Sequence, residues 1–173
     1  NINLKKTFVK GDWWVQDFSS FFPIHYFKGE SNCKKYLDTC AAPGGKSFQL
    51  LSKNIKVILN DKSISRIQIL KSNLKRLNFS ASILNKDFTN FDNKEKYDVI
   101  IIDAPCSAIG TIRKNPEILF KSKGPNFSSL NILQQQMLKK ASKLLNKNGY
   151  IIYMVCSFLK NETEDQVNKF LNN

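Results

Sequence analysis

Short apolar runs along this chain alternate with longer stretches in which apolar residues recur every three or four positions. KKYLDTCA (34–41) predicts a first strand that ends at APGG, followed by a helix over about 46–53. IKVILND (55–61) is apolar almost to its end, the pattern of a strand buried on both faces of a parallel sheet. Next, Ile64, Ile67, Leu70, Leu74 and Leu77 fall at spacings of three and four, which predicts an amphipathic helix over 63–78. Its polar face carries Arg66, Lys71, Lys75 and Arg76.

SASILNKD (80–87) is a third predicted strand and YDVIIIDAP (97–105) a fourth, the most apolar of all. Over 107–127, Gly110, Pro116, Gly124 and Pro125 predict a long functional loop with one helical turn. A helix is predicted over 129–147 with Gly149 past its end, then a fifth strand over 149–157. The segment 161–171 predicts a closing helix, with acidic residues in the first turn where the macrodipole favours them. This order predicts an α/β fold: a Rossmann-like, doubly wound, mostly parallel sheet. Residues 1–22 fit no strand–helix unit. They are expected to form a lead-in segment, over the sheet edge or at the end of something removed, ahead of one α/β domain over 23–173.

The 173 residues are 42% hydrophobic, enough for a packed core, and no apolar run approaches the roughly 18 residues of a membrane span. No apolar segment near the start leads into a small-residue cleavage site, so a soluble, cytoplasmic domain is expected. Charge sharpens this picture. Lys and Arg total 27 against 14 Asp and Glu, a formal +13 that points to a polyanionic partner, nucleic acid above all. Coding bias toward Lys and Asn competes with that reading, but it explains Lys over Arg better than Lys over Glu. Cys33, Cys40, Cys106 and Cys156 form no C-x-x-C pair, and His25 is the single histidine, which argues against a structural zinc site. Without a secretory context disulfides are not expected, so free thiols remain.

In doubly wound sheets ligands sit beyond the carboxyl ends of the strands, near the switch point of strand order. Asp38 and Cys40 close the first predicted strand, Asp61 the second and Asp87 the third. Asp103, Pro105 and Cys106 close the fourth, and Cys156 the fifth. One such Asp is most simply a loop or helix cap. Four in register favour a nucleoside-type ligand, with Asp61 placed for a ribose diol. AAPGGKS is not a P-loop, because that pattern's first glycine would stand at Cys40, and it does not spell G-x-G-x-x-G. A Gly-rich turn that is neither fits a methyl donor whose amino-acid tail needs close backbone contact.

Taken together and in order, LDTCAAPGGKS (37–47), NDKSISR (60–66), DAPCSAIGTIRKNPE (103–117) and YMVCSFLKNE (153–162) resemble the RNA cytosine-5 methyltransferases, in particular the bacterial small-subunit ribosomal RNA enzymes. GDWWVQDFSS (11–20) resembles the segment that leads into that family's catalytic domain. The resemblance implies the class I S-adenosylmethionine-dependent fold, S-adenosylmethionine as cofactor, and RNA as partner with its target cytosine unpaired or flipped. It implies neither metal nor membrane. Carbon 5 of cytosine is too poor a nucleophile to take a methyl group directly, and a thiolate added to carbon 6 activates it. On this reading Cys156 is the nucleophile, Cys106 assists product release, and Asp103 serves both the methyl donor and the base edge. Alone, either cysteine would be read as buried filler. The DNA enzymes use the cysteine of a Pro-Cys motif instead, so Cys156 separates the two assignments.

The same resemblance implies a cofactor cradle of Cys40, Ala41, Ala42, Pro43, Gly44, Gly45 and Lys46. Asp61 is expected on the ribose hydroxyls, Asp87 near the adenine amine, and Asp103 alongside. Lys46 either stabilises charge near the thiolate or simply starts a helix. Cys156 is expected where positive charge or the following helix lowers its pKa. Arg66, Arg76, Arg113, Lys114, Lys121 and Lys123 are expected to line or flank an RNA track. His25 and Cys33 keep structural readings. Phe158, Leu159 and Lys160 stand where the family usually has a Pro, and the chain stops at Asn173 before the family's closing hairpin. A domain trimmed at both ends is therefore expected, and the alternative is a catalytically impaired RNA-binding module.

Overall fold

The computed structural model describes residues 2, 5–29, 33–92, 94–120 and 124–172. Five strands, β1 (Tyr36–Asp38), β2 (Val57–Asn60), β3 (Ile83–Leu84), β4 (Tyr97–Asp103) and β5 (Leu145–Met154), form one sheet. Their order is β3-β2-β1-β4-β5 and every pairing is parallel. The strand order reverses between β1 and β4, which places the switch point there. Helices α3 (Gly45–Leu51), α4 (Ile64–Arg76), α5 (Phe127–Leu144) and α6 (Glu164–Leu171) follow the strands in alternation.

The central strand explains the two layers. Val99 and Ile101 of β4 join Phe48 of α3 and Leu70 and Leu74 of α4 in one core. Ile100 and Ile102 join Met137, Leu138 and Ala141 of α5 in the other. A strand buried on both faces has to be apolar at consecutive positions, as β4 is. Among the described residues no helix is long and apolar enough to cross a membrane.

Several elements differ from the sequence expectation. β1 and β3 are shorter than predicted, because the chain turns away to bridge neighbouring strands. Ala41 N–H, past the end of β1, donates to Asn60 O at 2.8 Å. Helix α5 stops at Leu144 and β5 begins at once, with Asn148 in the left-handed conformation (φ 64°) carrying the bend expected of Gly149. A register shift in the β4–β5 pairing between Tyr97 and Val99 absorbs those extra residues. Ile64, expected on the apolar stripe of α4, is exposed. It follows the N-cap Ser63 and lies beyond the reach of the sheet. The loop after β4 holds two 3-10 turns, Ile109–Thr111 and Pro116–Phe120, where one turn was expected.

The lead-in carries two helices, α1 (Lys6–Lys10) and α2 (Phe18–Tyr26). Asp17 caps α2 by accepting from Ser19 N at 3.0 Å, and this helix crosses the expected boundary after residue 22. Trp14 packs edge-on against Phe48 and Phe79, which fixes the lead-in to the α3–α4 face. Arg76 ties it further. Its Nη1 donates to Phe8 O at 2.8 Å and Trp13 O at 3.1 Å, and its guanidinium lies over the Phe8 ring. Arg76 thus holds the lead-in to α4.

Candidate active site

Beyond β1 the chain makes a tight loop over the switch point. Buried Asp38 accepts from Ser47 Oγ at 2.6 Å and from Cys40 N at 3.3 Å. Burial pushes its carboxyl up to about 6, against the Ser47 bond and with help from nearby Asp103. Gly44 sits at φ 118°, and a β-carbon there would meet the Phe48 ring at 2.0 Å, so only glycine fits. Burial and the Asp38 charge push the Cys40 thiol up to about 12, which leaves it protonated and unreactive. From the first turn of α3, Lys46 reaches across the sheet end to Asp103, Nζ to Oδ2 at 2.6 Å. Both sequence readings of Lys46 need amending: it starts a helix and also neutralises the strand-end carboxylate.

Asp61 follows β2 directly and is buried. Its Oδ2 accepts from Ala42 N at 3.2 Å and faces Arg66 Nη1 at 3.4 Å, while Oδ1 accepts from Ser63 N at 3.0 Å. Arg66 also donates to Ala42 O. The carboxylate expected on a ribose diol is therefore covered by Arg66, a residue expected on RNA. Asp87 does not close β3, which ends at Leu84. It caps the 3-10 turn Phe88–Asn90, accepting from Thr89 Oγ1 at 2.7 Å and Thr89 N at 3.0 Å. Those bonds, with Lys62 at 3.5 Å, hold its carboxyl below the usual range.

On the other side of the switch point, β4 and β5 pair in register up to Asp103 and Met154. The loops that leave them stay in contact: Ala104 N–H donates to Met154 O at 2.9 Å, and Gly110 N–H to Cys156 O at 3.0 Å. This brings Cys106 Sγ to 3.1 Å from Cys156 Sγ. The proton balance is the reverse of the expected one. The two thiols share one hydrogen bond in which either sulfur can donate. That bond and the N–H groups of Ala108 and Cys156 bring Cys106 down to about 7 against its burial. Cys156 is pushed up by that same bond, by burial, and by the charges of Cys106 and Asp103. Lys46, the cation at this strand end, is paired with Asp103.

A cavity of about 1090 Å³ opens at these strand ends, lined by Lys46, Asp103, Gly110, Tyr153 and Cys156, with Ser19 and Pro23 of α2 opposite. Among the described residues no group of three or more His, Cys, Asp or Glu side chains could hold a metal ion. Of the expected RNA contacts, Arg113 is exposed and Lys114 pairs with Asp17. Lys121 and Lys123 lie outside the described residues. The sequence reading passed over Glu162, which is buried against the loop of Cys106. In the sequence it is one of three acids in NETED (161–165), with nothing in residue type to set it apart from Glu164 and Asp165.

Comparison with known proteins places the chain in a family. The profile of the family described as 16S rRNA methyltransferase RsmB/F matches residues 28–173. The chain is 37% identical, over 95% of its length, to Ribosomal RNA small subunit methyltransferase B of Shewanella oneidensis, and spans 39% of that relative. The solved structure of PH0851 superposes with a TM-score of 0.91 at 30% identity, over 99% of this chain and 40% of the other. That of NSun6 from Pyrococcus horikoshii with SFG gives 0.89 at 25% identity, over 99% of this chain and 45% of the other. The chain belongs to the 16S rRNA methyltransferase RsmB/F family.

Proposed function

We propose that this chain is the catalytic domain of an S-adenosylmethionine-dependent RNA cytosine-5 methyltransferase acting on ribosomal RNA in the cytoplasm. Residues 1–22 are its lead-in and 23–173 its methyl-transfer unit. The observation that carries this reading is the pair of thiols 3.1 Å apart, one of which, Cys156, lines the strand-end cavity. Two thiols on the ends of neighbouring strands suit covalent addition to an unsaturated ring. Family membership and the printed activity of the relatives support the same reading.

The donor set fits the methyl donor. Asp61 accepts from Ala42 N and Asp103 pairs with Lys46 of the loop over 40–46, while Asp87 pairs with Lys62, so these carboxylates already draw cations. Such a site suits a cationic, hydroxyl-bearing ligand and not a phosphate. Cys40, Ala41, Ala42, Pro43, Gly44, Gly45 and Lys46 with the three carboxylates would hold S-adenosylmethionine, which supplies an electrophilic methyl group. Asp61 takes the ribose hydroxyls once Arg66 yields its place.

The protein's own part follows from the thiols. Cys156 adds to carbon 6 of a flipped cytosine while its proton passes to the Cys106 thiolate. The electron pair pushed onto carbon 5 makes that carbon nucleophilic. After methyl transfer the carbon-5 proton leaves to solvent, which restores the ring double bond and expels Cys156. The Cys106 thiol assists by returning its proton to the departing sulfur. Asp103, steadied by Lys46, faces the base edge.

Denaturing electrophoresis of the protein with substrate RNA and S-adenosylmethionine tests this. Cys156→Ala is expected to lose both methyl transfer and the shifted protein–RNA band. Cys106→Ala is expected to form the band more slowly, for want of the proton acceptor, and then to keep it, because release is what Cys106 assists. The reverse pattern would make Cys106 the nucleophile. No band from either variant, with RNA binding intact, would favour an RNA-binding module without turnover.

A further inference from the structure

Glu162 sits in the 3-10 turn Lys160–Glu162 after β5 and is 0% exposed. Burial opposes its charge, yet bonds from Ser107, Ser157 and Gln134 outweigh that and hold its carboxyl below the usual range. Ser107 N donates to Oε1 at 2.9 Å, Ser107 Oγ to Oε2 at 2.5 Å, and Gln134 Nε2 to Oε1 at 3.2 Å. Ser107 follows Cys106 in the chain, and Ser157 follows Cys156. Gln134 of α5 also donates to Pro105 O at 2.9 Å, and the carbonyl of Glu162 itself accepts from Tyr153 OH at 2.9 Å. One buried carboxylate therefore holds the loop of Cys106 and the helix behind it, and through Ser107, whose Oγ lies 3.4 Å from Ser157 Oγ, it reaches the loop of Cys156 as well. With no exposed surface it does not touch a substrate.

We propose that Glu162 is the positioning residue of the thiol pair: by holding Ser107 and Ser157 at once, it sets the sulfur–sulfur separation and aims the backbone N–H groups at the Cys106 sulfur. Its purpose rests on the methyl-transfer reading, but the arrangement does not depend on RNA or methyl donor being bound. The charged and titratable groups around the two sulfurs are the Lys46–Asp103 pair, Tyr153 and Glu162 itself.

The test is the rate at which iodoacetamide labels Cys106 against pH, read by peptide mass spectrometry on the whole chain. Wild type is expected to show a midpoint near 7. In Glu162→Ala the loops part, and the midpoint moves toward the unperturbed thiol value of about 8.5, with labelling at pH 7 roughly fifteenfold slower. Glu162→Gln keeps the two-sided contact and removes a charge that opposes thiolate formation. Its midpoint is expected at or below that of wild type. An unchanged midpoint in Glu162→Ala would overturn the proposal, as would equal downward shifts in both variants, which would mean a pure charge effect. If Glu162→Ala does not fold, Ser107→Ala decides instead. It is expected to slow labelling roughly fivefold at pH 7, and no change would overturn the role. A failure of RNA methylation with the labelling results intact would count against the proposed reaction and leave the role of Glu162 standing.

Discussion

The strand-end face has two halves that are built in different ways. Over β1 and β2 the carboxylates find partners close by in the chain: Asp38 with Cys40, Asp61 with Ser63, and, in the turn after β3, Asp87 with Thr89. Over β4 and β5 the contacts join distant positions, Cys106 with Cys156 and Ser107 with Glu162. The first half is set by its own turns and survives as long as they do. The second exists only when the sheet register is complete, so its chemistry is a property of assembly.

The strongest way to break the thiol half alone is Gly110→Val. A β-carbon at residue 110 would lie 2.9 Å from the carbonyl oxygen of Cys156, a backbone atom with no rotamer to escape into. Adduct formation with RNA is expected to fall at least about a hundredfold, since misplacing a reacting atom by a fraction of an ångström is that costly. Calorimetric binding of S-adenosylhomocysteine, which belongs to the other half, is expected to stay within about twofold of wild type.

Asp61→Ala is the converse. It is expected to weaken cofactor binding by roughly ten- to a hundredfold, from about 1.5–3 kcal/mol per lost charge-assisted bond. Labelling of Cys106 by iodoacetamide should be untouched. If both readouts fell together, the two halves would not be independent.

A smaller effect comes from acid. The thiolate of Cys106 has a depressed pKa of about 7, so the reactive form is present above that value and lost as pH falls through it. Between pH 7 and 6 the thiolate fraction drops about fivefold, and the initial rate of adduct formation should follow it. A rate flat across that interval would mean that Cys106 does not take the proton of Cys156.

How much could be read from the sequence follows the same division. The five strands, their helices and the strand-end positions of Asp38, Asp61 and Asp103 were legible, because burial on both faces leaves unbroken apolar runs with a polar break at the end. The meeting of Cys106 and Cys156 was legible only on the condition that β4 and β5 were neighbours. The ionisation of the pair was not legible. It depends on backbone N–H groups and on the Lys46–Asp103 pairing, none of which leaves a mark on residue type. Arg76 and Arg66 misled for a related reason. On a helix diagram both are solvent-facing cations, whereas the folded lead-in and the loop over 40–46 supply carbonyls and a carboxylate that draw them in. Glu162 was hidden because its partners lie 28 and 55 residues away.

The Arg66 bridge between Asp61 and Ala42 O has a consequence for how the protein would be loaded. A guanidinium half open to water is held there partly by an attraction that dissolved ions screen. Added salt loosens this plug and so favours the donor, while the same salt drives nucleic acid off a cationic surface. The two ligands thus respond to ionic strength with opposite sign, and a buffer chosen for one works against the other. Loading the small molecule in concentrated salt and then diluting into RNA respects both.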